Sequence, residues 1–242
     1  MKLQNAKLPM EYDNYVFDLY GTLVDIHTDE NCDLLWEKLA MFYGYYGANY
    51  TPDELKKAYS DMVESKEKSD THEAHPEIEI TTVFKDLFKE KGIDATDELS
   101  VHAGQFFRVL STEYVKLYEG TKEMLKSLKD NGKKVFLLSN AQRIFTEYEM
   151  RRLDIFKYFD KIYISSDHGT KKPNSSFFEI LLDETGIDVN KSLFIGNDSK
   201  CDIKGAGTMG FDTFYVKSNI SPQNDSAPDA TYEVNEFLKW EF

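Results

Sequence analysis

Five short apolar runs constrain this chain more than any other feature. They are Tyr15–Leu19, Lys134–Asn140 (KVFLLSN), Lys161–Ser166 (KIYISS), Ser192–Asn197 (SLFIGN) and Asp212–Val216 (DTFYV). Each is rich in β-branched or aromatic residues, too short for a helix and bounded by turn residues, which is the pattern of a strand. None alternates apolar with polar. A strand without alternation is buried on both faces, as in a parallel sheet covered by helices on each side. Helical patterns lie between the runs. Gly120–Gly132 sets Met124, Leu125 and Leu128 on one face and stops at Gly132; Asn174–Gly186 stops in the same way at Gly186. This alternation predicts an α/β fold, a Rossmann-like doubly wound parallel sheet.

One stretch breaks the rhythm. Between Ile26 and Tyr118 there is no strand pattern, only amphipathic helical segments at 29–46, 51–68, 80–92 and 97–118. Thr51-Pro52-Asp53-Glu54 reads as a helix start, with Pro in the first turn. The polar stretch 65–77 reads as a loop. The chain is therefore expected to divide into a discontinuous core, 1–25 with 117–242, and an inserted all-helical unit, 26–116. Residues 217–229 read as surface loop, and 230–242 as a last strand and a short helix.

Charge and cysteine content narrow the function. Forty-three acidic against 29 basic residues leave a net charge of −14, a poor match for nucleic acid or an anionic membrane. Cys32 and Cys201 are far apart and lack metal-knuckle spacing, which fits a reducing compartment. The first residues hold no apolar run of signal-peptide length, and no stretch approaches membrane-spanning length. The expectation is a soluble, cytoplasmic protein without nucleic-acid or membrane partners; monomer and homodimer both remain open.

Ligands in open α/β sheets gather at the carboxyl ends of the strands. Asp18, Tyr20, Gly21 and Thr22 follow the first run, and Ser139 and Asn140 close the second. Lys171 and Lys172 follow the third, while Asp198 and Asp202 follow the fourth. Carboxylates, a hydroxyl and a lysine thus converge on one edge. Lys171 reads as solvent-facing, and the five histidines as structural or surface residues.

This ordered set resembles the haloacid dehalogenase-like hydrolase superfamily. FDLYGTLVD is similar to its first motif, LLSN to its second, KKP to its third and IGNDSKCDIKGA to its fourth. The inserted helices resemble the cap of the subgroup that carries it after the first motif. The resemblance implies that Asp18 is the nucleophile, forming an aspartyl ester or aspartyl phosphate. It implies that Ser139, with Thr22 and Asn140, binds the transferring group and that Lys172 neutralises developing charge. Mg²⁺ would be held by Asp18, the Tyr20 carbonyl and Asp198, with Asp202 either a further ligand or an anchor for Lys172.

Tyr20 departs from the phosphatase pattern. In phosphatases of the superfamily a second Asp stands two residues after the nucleophile and works as general acid and base, whereas 2-haloacid dehalogenases carry Tyr there. A departing halide needs no proton. Those dehalogenases, however, are metal-independent and use an arginine early in the cap, and this chain has no arginine before Arg108. Asn197 stands where Asp is frequent, with Asp198 next to it. The favoured expectation is a Mg²⁺-dependent phosphatase of a small phosphorylated metabolite, working through Asp18. The alternatives are a 2-haloacid dehalogenase and a weakly catalytic metabolite-binding scaffold.

Overall fold

The five apolar runs form the middle of the molecule because successive residues of each strand enter two different cores. The computed structural model describes residues 2–3, 6–69, 73–227, 229–234 and 239–241. In chain order its elements are β1 (Lys2–Leu3), β2 (Ala6–Lys7), β3 (Asn14–Phe17), β4 (Val24–Thr28), α1 (Asp33–Tyr45), α2 (Pro52–Ser69), α3 (Ile80–Glu90), α4 (Asp97–Ser111) and β5 (Thr112–Leu117). There follow α5 (Thr121–Asp130), β6 (Lys134–Ser139), α6 (Arg143–Arg152), β7 (Lys161–Ile164), α7 (Ser175–Thr185), β8 (Ser192–Gly196), α8 (Gly205–Thr208), β9 (Asp212–Val216), β10 (Tyr232–Val234) and β11 (Trp240–Glu241).

Seven strands build one sheet in the order β1-β10-β9-β8-β3-β6-β7, and every pairing in it is parallel. Tyr15, Phe17, Val135, Leu137, Leu193 and Ile195 point to one face, where α5 adds Met124, Leu125 and Leu128. Their neighbours Val16, Phe136, Leu138 and Phe194 point to the other, against Phe177, Phe178 and Leu181 of α7. Period-two geometry thus makes an unbroken apolar run the only sequence that satisfies both layers. The α/β, Rossmann-like core is as expected.

Strand β3 is central. Its register sets Phe17 beside Leu137 of β6 and Ile195 of β8. The three chains therefore leave the sheet side by side, at Asp18, Ser139 and Gly196–Asn197.

Between β4 and β5 the four helices α1–α4 enclose their own cluster, including Leu35, Trp36, Leu39, Tyr43, Phe84, Phe88 and Phe107. The Thr51 start forms a reciprocal cap: Thr51 N–H donates to Glu54 Oε2 at 2.9 Å and Glu54 N–H to Thr51 Oγ1 at 3.3 Å. Trp36 packs inside, whereas Tyr45 is 83% exposed.

Three expectations need correction. The insertion is not strand-free, because β4 and β5 pair antiparallel, with Val24 opposite Leu117 and Asp25 opposite Lys116. This ribbon is half exposed, so it carries no continuous apolar run, and β5 reads as the tail of the preceding helix. Helix α4 accordingly stops at Ser111, where β-branched Thr112 turns extended. Helix α2 runs through Ser69, so 65–69 is helix rather than loop; Lys68 pairs with Glu64 one turn back and supports it. At the C-terminus β10 is the expected strand; a short helix was expected after it, where residues 235–238 lie outside the described residues and Trp240–Glu241 is a strand, β11. Among the described residues no helix is long and apolar enough to cross a membrane.

Candidate active site

Asp18 is held at the end of β3 by its own backbone, whose N–H donates to Ile195 O at 2.9 Å. A tight turn follows: Leu23 N–H and Val24 N–H both donate to Leu19 O, and Gly21 N–H donates to Val24 O. The Tyr20 carbonyl takes none of these bonds. Gly21 has φ +88°, and a Cβ there would lie 2.2 Å from Asn197 Nδ2. The left-handed turn and the close approach of the β8 loop both require glycine.

The Asp18 carboxylate is buried, at 7% exposure, and three donors converge on it. Lys172 Nζ lies 2.8 Å from Oδ1 and Ser139 Oγ 3.3 Å from the same oxygen. Thr22 Oγ1 lies 3.4 Å from Oδ2 and 3.3 Å from Asn197 Oδ1, so it can donate to either.

Lys172 bridges two carboxylates. Its ammonium donates to Asp18 and, at 2.7 Å, to Asp202 Oδ1. Burial alone would discharge this lysine, but Asp18 and Asp202 outweigh it and hold the ammonium above the ordinary lysine range. Burial pushes Asp202 up, and the Lys172 charge opposes that push. The second Asp202 oxygen accepts from Asn197 N–H and Asp198 N–H, both at 3.0 Å. With both oxygens engaged by nitrogen donors, Asp202 sits as an anchor for Lys172 and for the β8 loop.

The remaining expected residues are nearby in different roles. Asn140 grips the Lys172 backbone reciprocally: Nδ2 donates to Lys172 O at 2.9 Å, and Lys172 N–H donates to Oδ1 at 2.8 Å. This pair locks the loops after β6 and β7 together and uses both ends of the amide. Asp198 turns to the backbone just after it, where Oδ1 accepts from Lys200 N–H at 2.8 Å and Cys201 N–H at 2.7 Å. It is Asn197, 6% exposed, whose side chain lies against Gly21 and Thr22 beside Asp18. Lys171 is partly buried and pairs with Glu67 at 3.7 Å.

Tyr20 faces away from Asp18. Its hydroxyl donates to Glu149 Oε2 at 2.6 Å and lies 3.1 Å from Thr146 Oγ1. Burial, and then the Glu149 charge, raise it above the ordinary tyrosine range. Arg108 of α4 completes the group by pairing with Glu149. Nothing in the sequence marked Glu149 or Thr146; each looks like an ordinary residue of an amphipathic helix.

The donors that could share a cation with the Asp18 carboxylate are all oxygens: the Asn197 amide, which meets Thr22 beside Asp18, and, in the same two loops, the Tyr20 carbonyl and the Asp198 carboxylate. That chemistry suits Mg²⁺, which takes one or two carboxylates and completes its shell with water and substrate. Among the described residues no group of three or more His, Cys, Asp or Glu is placed to hold an ion by itself. The donor set fits a cation completed by substrate, not a closed protein cage.

Known proteins resemble this chain over most of its length. The model of the haloacid dehalogenase-like hydrolase family matches residues 12–210. The chain is 25% identical over 229 residues to the pyrimidine 5'-nucleotidase PynA of Streptococcus pneumoniae, covering 93% of this chain and 92% of that one. It is 22% identical over 234 residues to (S)-2-haloacid dehalogenase 4A of Burkholderia cepacia, covering 91% and 89%. Among solved structures, the HAD-hydrolase YfnB from Bacillus subtilis bound to magnesium superposes with a TM-score of 0.54 at 22% identity, covering 92% of this chain and 94% of that one.

Proposed function

Because the chain belongs to the haloacid dehalogenase-like hydrolase family, we propose that it is a Mg²⁺-dependent phosphatase of a small phosphorylated metabolite, with Asp18 as nucleophile. The observation that carries this reading is the buried Asp18 carboxylate at the end of the central strand, bonded by Lys172 and Ser139. The pyrimidine nucleotidase relative supports it, since that match spans most of both chains. Residues 1–25 and 117–242 then serve as the catalytic core and 26–116 as a cap that screens the site from water and selects substrate.

In this reading an Asp18 oxygen attacks phosphorus in line, the bond to the leaving oxygen breaks, and an aspartyl phosphate forms. Ser139 turns its hydroxyl from Asp18 to an oxygen of the transferring group. Lys172 holds the Asp18 carboxylate in place and stabilises charge in the transition state. Asp202 fixes Lys172, and Asn140 fixes its backbone. Water then attacks phosphorus, releasing phosphate and restoring Asp18. Mg²⁺, when bound, would neutralise the phosphoryl oxygens; Asp18, the Tyr20 carbonyl and a side-chain oxygen of Asn197 or Asp198 would hold it.

Tyr20 sets the leaving-group preference. Its proton is committed to Glu149, so it gives no general-acid help to a departing alkoxide. Such help is worth about 10²–10⁴-fold. Aryl or acyl phosphates should therefore turn over faster than alkyl phosphates by a ratio in that range, and EDTA should stop both. Equal aryl and alkyl rates would show that another group donates the proton. A second reading has Tyr20 in its favour, namely a 2-haloacid dehalogenase. Chloride release from a 2-chloroacid in EDTA would establish that reading in place of the first.

A further inference from the structure

The polar group around Tyr20 joins three parts of the chain that are remote in sequence. Tyr20 belongs to the turn after β3, Glu149 and Thr146 to the core helix α6, and Arg108 to α4 of the helical unit. Glu149 is 6% exposed. Arg108 Nε donates to its Oε1 at 2.8 Å and Nη2 to its Oε2 at 3.3 Å, a two-pronged pair. The Tyr20 hydroxyl shares Oε2 at 2.6 Å. The guanidinium also lies over the rings of Phe145, at 5.2 Å, and Tyr20, at 5.8 Å.

We propose that Glu149 is a positioning residue for the turn that carries Asp18, acting through the Tyr20 hydroxyl, and that Arg108 completes this arrangement only while α4 is seated on α6. A carboxylate this deeply buried is strongly disfavoured without its counter-charge. Arg108 supplies that charge from a helix outside the core. When α4 lifts, Glu149 is left beside Tyr20 alone and draws in water, which competes with the tyrosine for its oxygens. Tyr20 is thereby released. Its backbone leads directly into Gly21, which is packed against Asn197, and into the turn closed by Leu23 and Val24. The seating of α4 is thus read out at the nucleophile without either Arg108 or Glu149 touching it.

Hydrogen exchange of the amides of Gly21, Leu23 and Val24 tests this in the free protein. In Arg108→Met these amides should exchange roughly 10–100-fold faster than in the wild type, the range set by losing one charge-assisted hydrogen bond. In Tyr20→Phe, which cuts the link, adding Arg108→Met should change their exchange no further. Turn amides unchanged in Arg108→Met, or a second, additive acceleration in the double variant, would overturn the proposal. Arg108→Lys keeps charge and stem but loses the fork, and the same criterion applies to it should Arg108→Met fail to fold. The measurement needs no substrate, so it stands apart from the phosphatase reading.

Discussion

Replacing Asp18 by Asn is expected to lower kcat for an aryl phosphate by roughly 10⁴–10⁶-fold, the scale of losing a covalent nucleophile, while leaving the protein folded. The amide keeps an oxygen to accept from Lys172, and Lys172 keeps its pairing with Asp202. The melting temperature should therefore stay near that of the wild type. A scaffold that only binds its ligand would show no change in rate, so the same variant separates catalysis from binding. Saturable binding with undiminished, slow hydrolysis in Asp18→Asn would contradict the assignment of the nucleophile.

Lys172→Met should have the largest effect on stability. It leaves the side chains of Asp18 and Asp202, 10% and 3% exposed, without the ammonium that separates them. Removing one partner from a buried ion pair costs about 3–5 kcal/mol. At roughly 2–4 °C per kcal/mol for a chain of this size, the melting temperature should fall on the order of 10 °C. The double variant Lys172→Met with Asp202→Asn should recover part of the loss, because it removes one of the two stranded charges. Recovery distinguishes charge repulsion from a simple packing defect, and its absence would mean that the lysine matters mainly as volume.

The strands were legible because burial on both faces leaves a mark that no surface element shares. Val16 and Phe17 face different cores, and only an unbroken run satisfies both. The β4–β5 ribbon was not legible, because its outer positions face water and its register depends on a partner some ninety residues away, as Tyr114 and His27 show. Within the site, strand ends brought Asp18, Ser139 and a lysine to one edge, and the resemblance of KKP to the third motif picked Lys172 over Lys171. The choice between Asn197 and Asp198 did not follow from either. Neighbouring residues at a strand end point in opposite directions, and only the backbone decides which one faces Asp18. The direction of Tyr20 was hidden for a different reason: its partner Glu149 lies 129 residues on, in a helix whose sequence looks like a solvated face.

The most direct test is to mix the protein with Mg²⁺ and acetyl phosphate, quench in acid within the first turnover, and map the modified peptide by mass spectrometry. A phosphoryl group on Asp18, absent from Asp18→Asn and from samples containing EDTA, is the predicted result. Phosphate release with Asp18 never modified, or an ester on Asp18 formed from a 2-haloacid in EDTA, would contradict it.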